Sequence, residues 1–162
     1  MTQVPGSLPE PVEQLLKSAL VAELTHQGDG GQLYTDPLIP LWDGRHILMT
    51  SSILFSRKLE RIKRNPKVSV SMSDPVACPG VARWRASIQG DARVIDGDIH
   101  SDWMTTLPLW EAKEPVVKKL FKLRFGLPLF WERSVIEITP RRVIHWRDGD
   151  TTAVPDVVEV AS

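Results

Sequence analysis

Residues 49–61, MTSSILFSRKLER, join the end of a strand to the start of a basic helix. Thr50 and Ser51 follow an apolar run at the end of the strand. Ser56 is the expected helix N-cap, and Arg57 and Lys58 occupy the first helical turn. Cations are unfavourable there by roughly a few tenths of a kcal/mol each, because the helix N-terminus carries partial positive charge. A bound anion would remove this conflict, since backbone N–H groups, hydroxyls and cations would converge on it. The predicted phosphate ligands are Thr50, Ser51, Ser56, Arg57 and Lys58.

The same charges have a simpler interpretation as the solvated surface of a basic helix. In that case Glu60 and Arg64 form an i,i+4 ion pair, while Arg57 and Lys58 face water. The hydroxyl cluster at the end of the preceding strand favours the anion site, because a solvated helix surface does not require it.

A second clue is the segment Tyr34–Trp42, which contains Pro37 and Pro40. Neither proline can donate a hydrogen bond to a neighbouring strand, so part of this segment is an edge or a bulge. The backbone groups left free would suit a planar heterocycle with a polar edge. The alternative is an edge strand that its prolines protect from aggregation.

The remaining pattern predicts a mainly β protein with inserted helices. Six to seven mostly antiparallel strands suggest a small barrel. We expect residues 1–162 to form a single domain, with flexible tails at 1–8 and 152–162. Predicted strands cover 19–25, 32–42, 45–50, 67–73, 82–95 (bent at Gly90), 134–139 and 142–147 (joined at Pro140), and predicted helices cover 9–18, 56–64 and most of 98–130.

The composition argues against several functional classes. Twenty basic and twenty acidic residues give a formal net charge of zero, so there is no overall excess of positive charge for nucleic acid. No apolar run approaches the ~18 residues of a membrane span, and residues 1–10 do not read as a signal peptide. Cys78 is the only cysteine, which fits a reducing compartment. We therefore expect a cytoplasmic protein with neither a nucleic-acid nor a membrane partner.

Several short segments follow one another in a definite order and spacing between Leu20 and Trp146. They are Pro37, Leu41–Gly44, Thr50–Ser51, Ser56–Lys58, Arg64–Val70, Ile88–Val94 and Ile136–Val143. Together they resemble the flavin-binding split barrel of the pyridoxamine 5′-phosphate oxidase-like superfamily, which includes the flavin/deazaflavin-dependent oxidoreductases. The resemblance covers most of the chain.

This resemblance implies an FMN-binding type of split β-barrel that forms a homodimer, with the cofactor at the subunit interface. The residues that match the phosphate ligands are Thr50, Ser51 and Lys58, with Ser56 and Arg57 as helpers. These are the residues that the charge pattern also indicates.

The resemblance also implies that the strand residues Pro37, Leu38 and Ile39 back the flavin ring. Arg83 or Arg85 is expected to reach the cofactor from the partner subunit.

The chain departs from the superfamily's pattern at Pro40 and in the aromatic-rich insert Asp98–Glu132. Pro40 stands where an ordinary strand residue is usual, which leaves the contacts to the ring edge open. The insert is interpreted as a substrate pocket, a dimer surface or core. The apolar stripe within Val116–Lys122 favours core or dimer packing.

The expected activity is two-electron (hydride) transfer to or from a small organic substrate, with FMN or the deazaflavin coenzyme F-420. FMN ends in a phosphate dianion and needs only a compact anion site, whereas F-420 continues past a phosphodiester and needs a longer cationic groove. FMN therefore requires fewer assumptions. The cofactor performs the hydride chemistry, so no catalytic side chain is assigned. The four histidines, His26, His46, His100 and His145, are too scattered for a metal site or an acid–base motif.

Three other functions stay open at this point. One is a flavin or haem carrier or sensor on the same barrel, without turnover. Another is nucleic-acid binding through the basic helix, which the zero net charge disfavours. The third, true oxidation of pyridoxamine phosphate, would need a second phosphate site, and the sequence shows no cluster of basic and hydroxyl residues near the C-terminus beyond Arg141 and Arg142.

Overall fold

A computed structural model describes residues 7–53, 56–73, 85–120 and 132–160 of the chain. The helices are α1 (Glu10–Ser18), α2 (Arg57–Arg64), α3 (Leu107–Lys113) and α4 (Val117–Leu120), with short 3₁₀ turns at Asp29–Gly31, Asp102–Thr106 and Arg147–Gly149. The strands are β1 (Ala22–Gln27), β2 (Leu33–Leu38), β3 (Leu41–Trp42), β4 (Ile47–Ser52), β5 (Lys67–Met72), β6 (Arg85–Ile95), β7 (Arg133–Trp146) and β8 (Asp156–Glu159).

Seven of the strands form one antiparallel sheet in the order β2-β1-β5-β6-β7-β4-β3, and β8 pairs with β7. β2 and β3 lie at opposite edges of this path, although only Ile39 and Pro40 separate them in the chain. Six strand spacings would put those edges about 29 Å apart in a flat sheet. Three Cα steps, from Leu38 to Leu41, span at most about 11 Å. The sheet must therefore curl back on itself, which confirms the predicted split barrel.

The predicted strand 32–42 is wrong in one respect, because it is two strands. β2 pairs with β1 at one edge, and β3 pairs with β4 at the other. Pro40 is buried where the chain crosses between the two edges and has no N–H to donate to either ladder. Pro40, which the sequence pattern assigns to an edge or a bulge, therefore lies at the gap in the barrel.

The predicted pair of strands 134–139 and 142–147 is in fact the single strand β7. One extra residue, Arg141, forms a bulge opposite Gln89 and Gly90, and it keeps Val143 on the same buried face as Ile138. The irregularity predicted at Gly90 is confirmed, and its cause is steric. A Cβ at Gly90 would lie 2.5 Å from the Thr139 carbonyl oxygen.

Within the described residues, parts of both predicted tails pack on the folded chain. Residues 152–162 were predicted as a tail, yet Asp156–Glu159 forms β8 beside β7. The Val160 N–H then donates to the Arg141 carbonyl at 2.7 Å, and its side chain is buried. Leu8, within the predicted N-terminal tail, also packs into the core.

The barrel has two hydrophobic clusters, one on each face of the sheet. The inner core lies inside the barrel and includes α1 and one face of α2. The outer core lies outside β4, β6 and β7, where the segment 102–117 covers the sheet. Its buried members are Leu41, Trp103, Trp110, Val117 and Val135.

The interpretation of the aromatic insert as core is thus confirmed for Trp103 and Trp110. The insert's other aromatic residues, Phe121, Phe125, Phe130 and Trp131, lie outside the described residues. No helix within the described ranges is both long and apolar enough to span a membrane.

Candidate functional site

The start of α2 brings together two of the predicted hydroxyl ligands. Ser51 is on the inward face of β4, in line with the buried Ile47 and Met49. Its Oγ lies 3.3 Å from Oγ of Ser56, the residue that immediately precedes α2. The Ser56 side chain makes no hydrogen bond to the backbone N–H groups of α2, so its hydroxyl does not act as a helix cap. The hydroxyl pair therefore lies at the N-terminus of α2.

Lys58, in the first turn of α2, contacts a carboxylate that the sequence analysis did not single out. Its Nζ lies 3.3 Å from Oδ1 of Asp36, and only 18% of its side chain is exposed. Oδ2 of Asp36 lies 3.0 Å from Nε2 of His26, whose side chain is fully buried. These residues, His26, Asp36, Ser51, Ser56 and Lys58, are called the α2 cluster below.

The protonation of the α2 cluster follows from the chemistry of its members. Burial raises the pKa of Asp36, but the hydrogen bond from His26 and the charge of Lys58 outweigh burial and hold the pKa below its usual value. The ionised carboxylate only accepts hydrogen bonds, so Nε2 of His26 carries the hydrogen. The other ring nitrogen, Nδ1, is buried with no hydrogen-bond partner among the residues that the structure describes.

Aromatic and cationic contacts fix β2 against α2 beside this cluster. The His26 ring stacks on Tyr34 with centroids 5.8 Å apart, and the Arg61 guanidinium lies 3.6 Å from the centre of the Tyr34 ring. Gly28 makes room for this arrangement, because a Cβ there would lie 2.6 Å from the tyrosine ring. The inward face of β2 is therefore packed against the helix that carries Lys58.

Thr50, also a predicted ligand, faces the opposite side of the sheet. Neighbouring residues in a strand point to opposite faces, and Thr50 follows Leu48 towards the outer core. Its Oγ1 accepts a hydrogen bond of 3.2 Å from Nε of Arg133 on β7. The Arg133 guanidinium in turn lies 5.2 Å from the centre of the Trp110 ring. Burial lowers the pKa of Arg133 from its normal value.

The residues predicted to back the ring do not share one surface. Pro37 is exposed opposite Glu23, Leu38 packs against the inner core, and Ile39 packs against the outer core. Of the other predicted contacts, Arg57 is exposed and Arg85 is half-buried at the start of β6, while Arg83 lies outside the described residues.

The outward face of β1, β2, β5 and β6 is rich in small hydroxyl side chains. Oγ1 atoms of Thr25 and Thr35 lie 3.0 Å apart, and Oγ atoms of Ser69 and Ser87 lie 3.2 Å apart. A cavity of about 600 Å³ opens on this face near Ser69 and Arg142. None of the eight predicted cofactor ligands lines it, but His26 of the α2 cluster does, so the cavity and the α2 cluster share one residue.

Three residues with a part in these arrangements were not found by sequence reasoning: His26, Asp36 and Arg133. Asp36 could have been noticed because it is an acidic residue within a predicted strand, directly before the residues predicted to back the ring. For His26, strict alternation with Ala22 and Leu24 would have placed the ring on the buried face. Arg133 gave no signal, because its partner Thr50 is fixed only by the pairing of β4 with β7.

The fold is the split barrel of the pyridoxamine 5′-phosphate oxidase-like proteins. No model of a protein family and no curated protein sequence matches the chain. Among solved structures, an F-420 reductase matches with a TM-score of 0.63 at 21% identity, over 84% of this chain and 98% of that chain. A pyridoxamine 5′-phosphate oxidase-related, FMN-binding protein from Nostoc punctiforme matches with a TM-score of 0.56 at 14% identity, over 83% and 80% of the two chains.

A haem-binding protein from Mycobacterium smegmatis matches with a TM-score of 0.60 at 16% identity, over 94% of this chain and 59% of that chain. Such neighbours confirm the superfamily resemblance as a likeness of fold. Their cofactors differ, so the fold is compatible with more than one prosthetic group.

Proposed function

We propose that this chain is a cytoplasmic, homodimeric oxidoreductase that binds FMN or coenzyme F-420 and transfers two electrons to or from a small organic substrate. The observation that carries the proposal is the α2 cluster. It places a half-buried lysine and two hydroxyl groups at the N-terminus of a helix in a split barrel whose neighbours include flavin and deazaflavin proteins.

The residues at this end of the barrel fit a cofactor phosphate. The ammonium of Lys58 and the Ser56 hydroxyl provide charge and a donor, and the helix N-terminus adds partial positive charge. On the adjacent strand Ser134 pairs in register with Ser51, and its buried hydroxyl has no hydrogen-bond partner among the described residues. A buried donor without a partner is costly, so this end of the barrel has capacity for an anion.

The bound flavin or deazaflavin supplies the hydride chemistry. The chain's own residues hold and orient it. In the proposal Lys58, Ser51 and Ser56 hold the phosphate, with Arg57 as an exposed helper. Thr50 contributes to the phosphate site from the opposite face of β4, where the hydrogen bond from Arg133 positions its hydroxyl. The backbone of Pro37, Leu38 and Ile39 backs the ring, since their side chains lie on different surfaces, and no side chain is assigned a proton transfer.

The homodimer is proposed from the outward face of the sheet. Its small hydroxyl residues allow a close approach of a planar group or a second sheet, and Leu33 is 61% exposed beside them. A partner subunit covering this face would also bring Arg85 near a shared interface. Light scattering of the purified protein should give twice the chain mass, and a monomer at micromolar concentration would contradict this part of the proposal.

The second candidate function is a flavin or haem carrier or sensor without turnover. The structural likeness to a haem-binding protein supports it. The described histidines give it little support as a haem site. His26 and His145 are buried, His46 is bound to Asp43 at 3.3 Å, and His100 is exposed but is not part of the α2 cluster. An axial ligand needs an accessible ring nitrogen on the cofactor side.

The test is a titration of the purified protein with FMN, F-420 and haemin, each followed spectroscopically, and then a reduction assay. We expect a flavin or deazaflavin to bind, and to be reduced by NAD(P)H, by reduced deazaflavin or by a substrate in a screen. Binding of a flavin without any electron transfer would support the carrier. If haemin alone bound, or if no cofactor bound, the oxidoreductase proposal would be wrong.

A further inference from the structure

An acidic side chain lies beside the lysine of the proposed phosphate site. The Lys58 ammonium, the main cationic group of the α2 cluster, already has Oδ1 of Asp36 at 3.3 Å. Asp36 faces inward because it pairs with Leu24, a residue of the inner core. Any anion that binds Lys58 must therefore do so beside a carboxylate.

The carboxylate is not free to turn away when an anion arrives. Its second oxygen, Oδ2, accepts the hydrogen bond from buried His26. The His26 ring is itself held by the stack on Tyr34, and Tyr34 is held by Arg61 of α2. Each carboxylate oxygen thus has one partner on a different element, which fixes its position.

The distance between Asp36 and a bound phosphate follows from their shared partner. A phosphate oxygen bonds an ammonium at about 2.8 Å. Because Oδ1 lies 3.3 Å from the same nitrogen, the two oxygens would be at most about 6 Å apart. At that range each extra negative charge on the ligand is repelled by the carboxylate.

The candidate cofactors differ in this charge. A terminal phosphate monoester carries about −1.5 to −2 at pH 7, whereas a phosphodiester carries a single negative charge. One unit of charge at ~6 Å in a partly solvated site changes affinity by about tenfold. Asp36 should therefore penalise the two kinds of phosphate to different extents.

We propose that Asp36 is a specificity-determining residue, which biases the site towards cofactors attached through a singly charged phosphodiester and away from a terminal phosphate dianion. The inference rests on the proposed function, since it concerns the same phosphate site. Within that function it favours an F-420 type of cofactor over FMN.

The experiment compares ligands that share one ring and differ only at the phosphate. Riboflavin, FMN and the methyl phosphodiester of FMN are titrated against the wild type, Asp36→Asn and Asp29→Asn at about pH 7.5, where the monoester is a dianion. Asp29→Asn removes one carboxylate from an exposed ion pair with Arg64 at the other end of α2, and serves as the matched control.

In Asp36→Asn, the affinity ratio of FMN to its methyl ester should rise about tenfold over the wild-type ratio, with riboflavin affinity unchanged. Asp29→Asn should leave the ratio at its wild-type value. Asp36→Ser, which keeps an acceptor for His26, should repeat the result if the asparagine variant folds poorly.

A ratio that stays within about twofold of the wild-type value in both Asp36 variants would overturn the inference alone. An equal gain for riboflavin would also overturn it, because the effect would not be on the phosphate. If neither the flavins nor F-420 bind the wild type, the proposed function itself fails, and the inference falls with it.

Discussion

Thr50 and Ser51 are neighbours in β4, yet they belong to different regions of the molecule. Ser51 turns inward to the α2 cluster, where its hydroxyl meets that of Ser56. Thr50 turns outward to the edge of the outer core, where it accepts a hydrogen bond from Arg133. The α2 cluster is polar and partly accessible, whereas the outer core is built on two buried tryptophans.

Hydroxyl residues that are adjacent in sequence, such as Thr50 and Ser51, therefore do not form one cluster in the folded chain. Strand alternation divides the pair, and each half acquires the chemistry of its own face. We infer that the inward half serves binding directly, and that the outward half serves mainly stability and contributes less to binding. The variants below test that division.

The largest effect is expected in the outer core. Trp103 is fully buried and packs edge-to-face on Trp110, so Trp103→Ala should lower the free energy of unfolding by about 3–5 kcal/mol. The affinity of the folded fraction for its cofactor should change by less than about threefold. Urea unfolding with parallel cofactor titration measures both quantities. Met104→Ala, at an exposed neighbouring position, is the control and should stay within about 0.5 kcal/mol.

A smaller effect separates the two neighbours in β4. Ser51→Ala should weaken cofactor binding by about 0.5–1.5 kcal/mol, because it removes a hydroxyl from the proposed phosphate site. Thr50→Val should lower stability by a similar amount, since it removes the hydroxyl that accepts the hydrogen bond from Nε of Arg133, and should affect binding less than Ser51→Ala does. Equal losses of affinity in the two variants would show that both faces hold the phosphate, as the sequence pattern had suggested.

The smallest effect is the dependence of stability on pH that Asp36 contributes. Its pKa in the folded protein lies below the ordinary value of 3.8, so its stabilising effect is fully present well above that value and is lost as the pH falls through the folded pKa. The difference in unfolding free energy between wild type and Asp36→Asn should therefore shrink between about pH 5 and pH 2. Acid unfolding monitored by circular dichroism gives this difference. A constant difference would mean that Asp36 is not stabilised as an anion.

Much of the fold could be predicted, because its strongest signals are local. The alternation in Lys67–Met72 and the serine before Arg57–Arg64 predicted β5 and α2 within about one residue, although the Ser56 hydroxyl makes no capping hydrogen bond. Gly90 was identified because a glycine within a long strand pattern usually marks a bulge or a close backbone approach.

The errors occur where pairing with distant parts of the chain decides the structure. Asp156–Glu159 is too short and too acidic to read as a strand, and β7 alone makes it one. β2 shows no regular alternation of burial, so the inward direction of Asp36 depends on its register with β1. The ion pair of Asp36 with Lys58, which changes the meaning of the predicted phosphate site, was therefore not visible in the sequence.

The central claim is that Lys58 holds the phosphate of a flavin or deazaflavin, and the most direct measurement is cofactor affinity in Lys58→Ala. The control is Lys63→Ala, on the same helix, whose ammonium pairs with Glu60 and Asp96. Lys58→Ala should weaken cofactor binding by about 1.5–3 kcal/mol, or roughly 10–150-fold, while the barrel stays folded, and the control should keep wild-type affinity. Equal affinity in both variants and the wild type would show that Lys58 does not hold the phosphate.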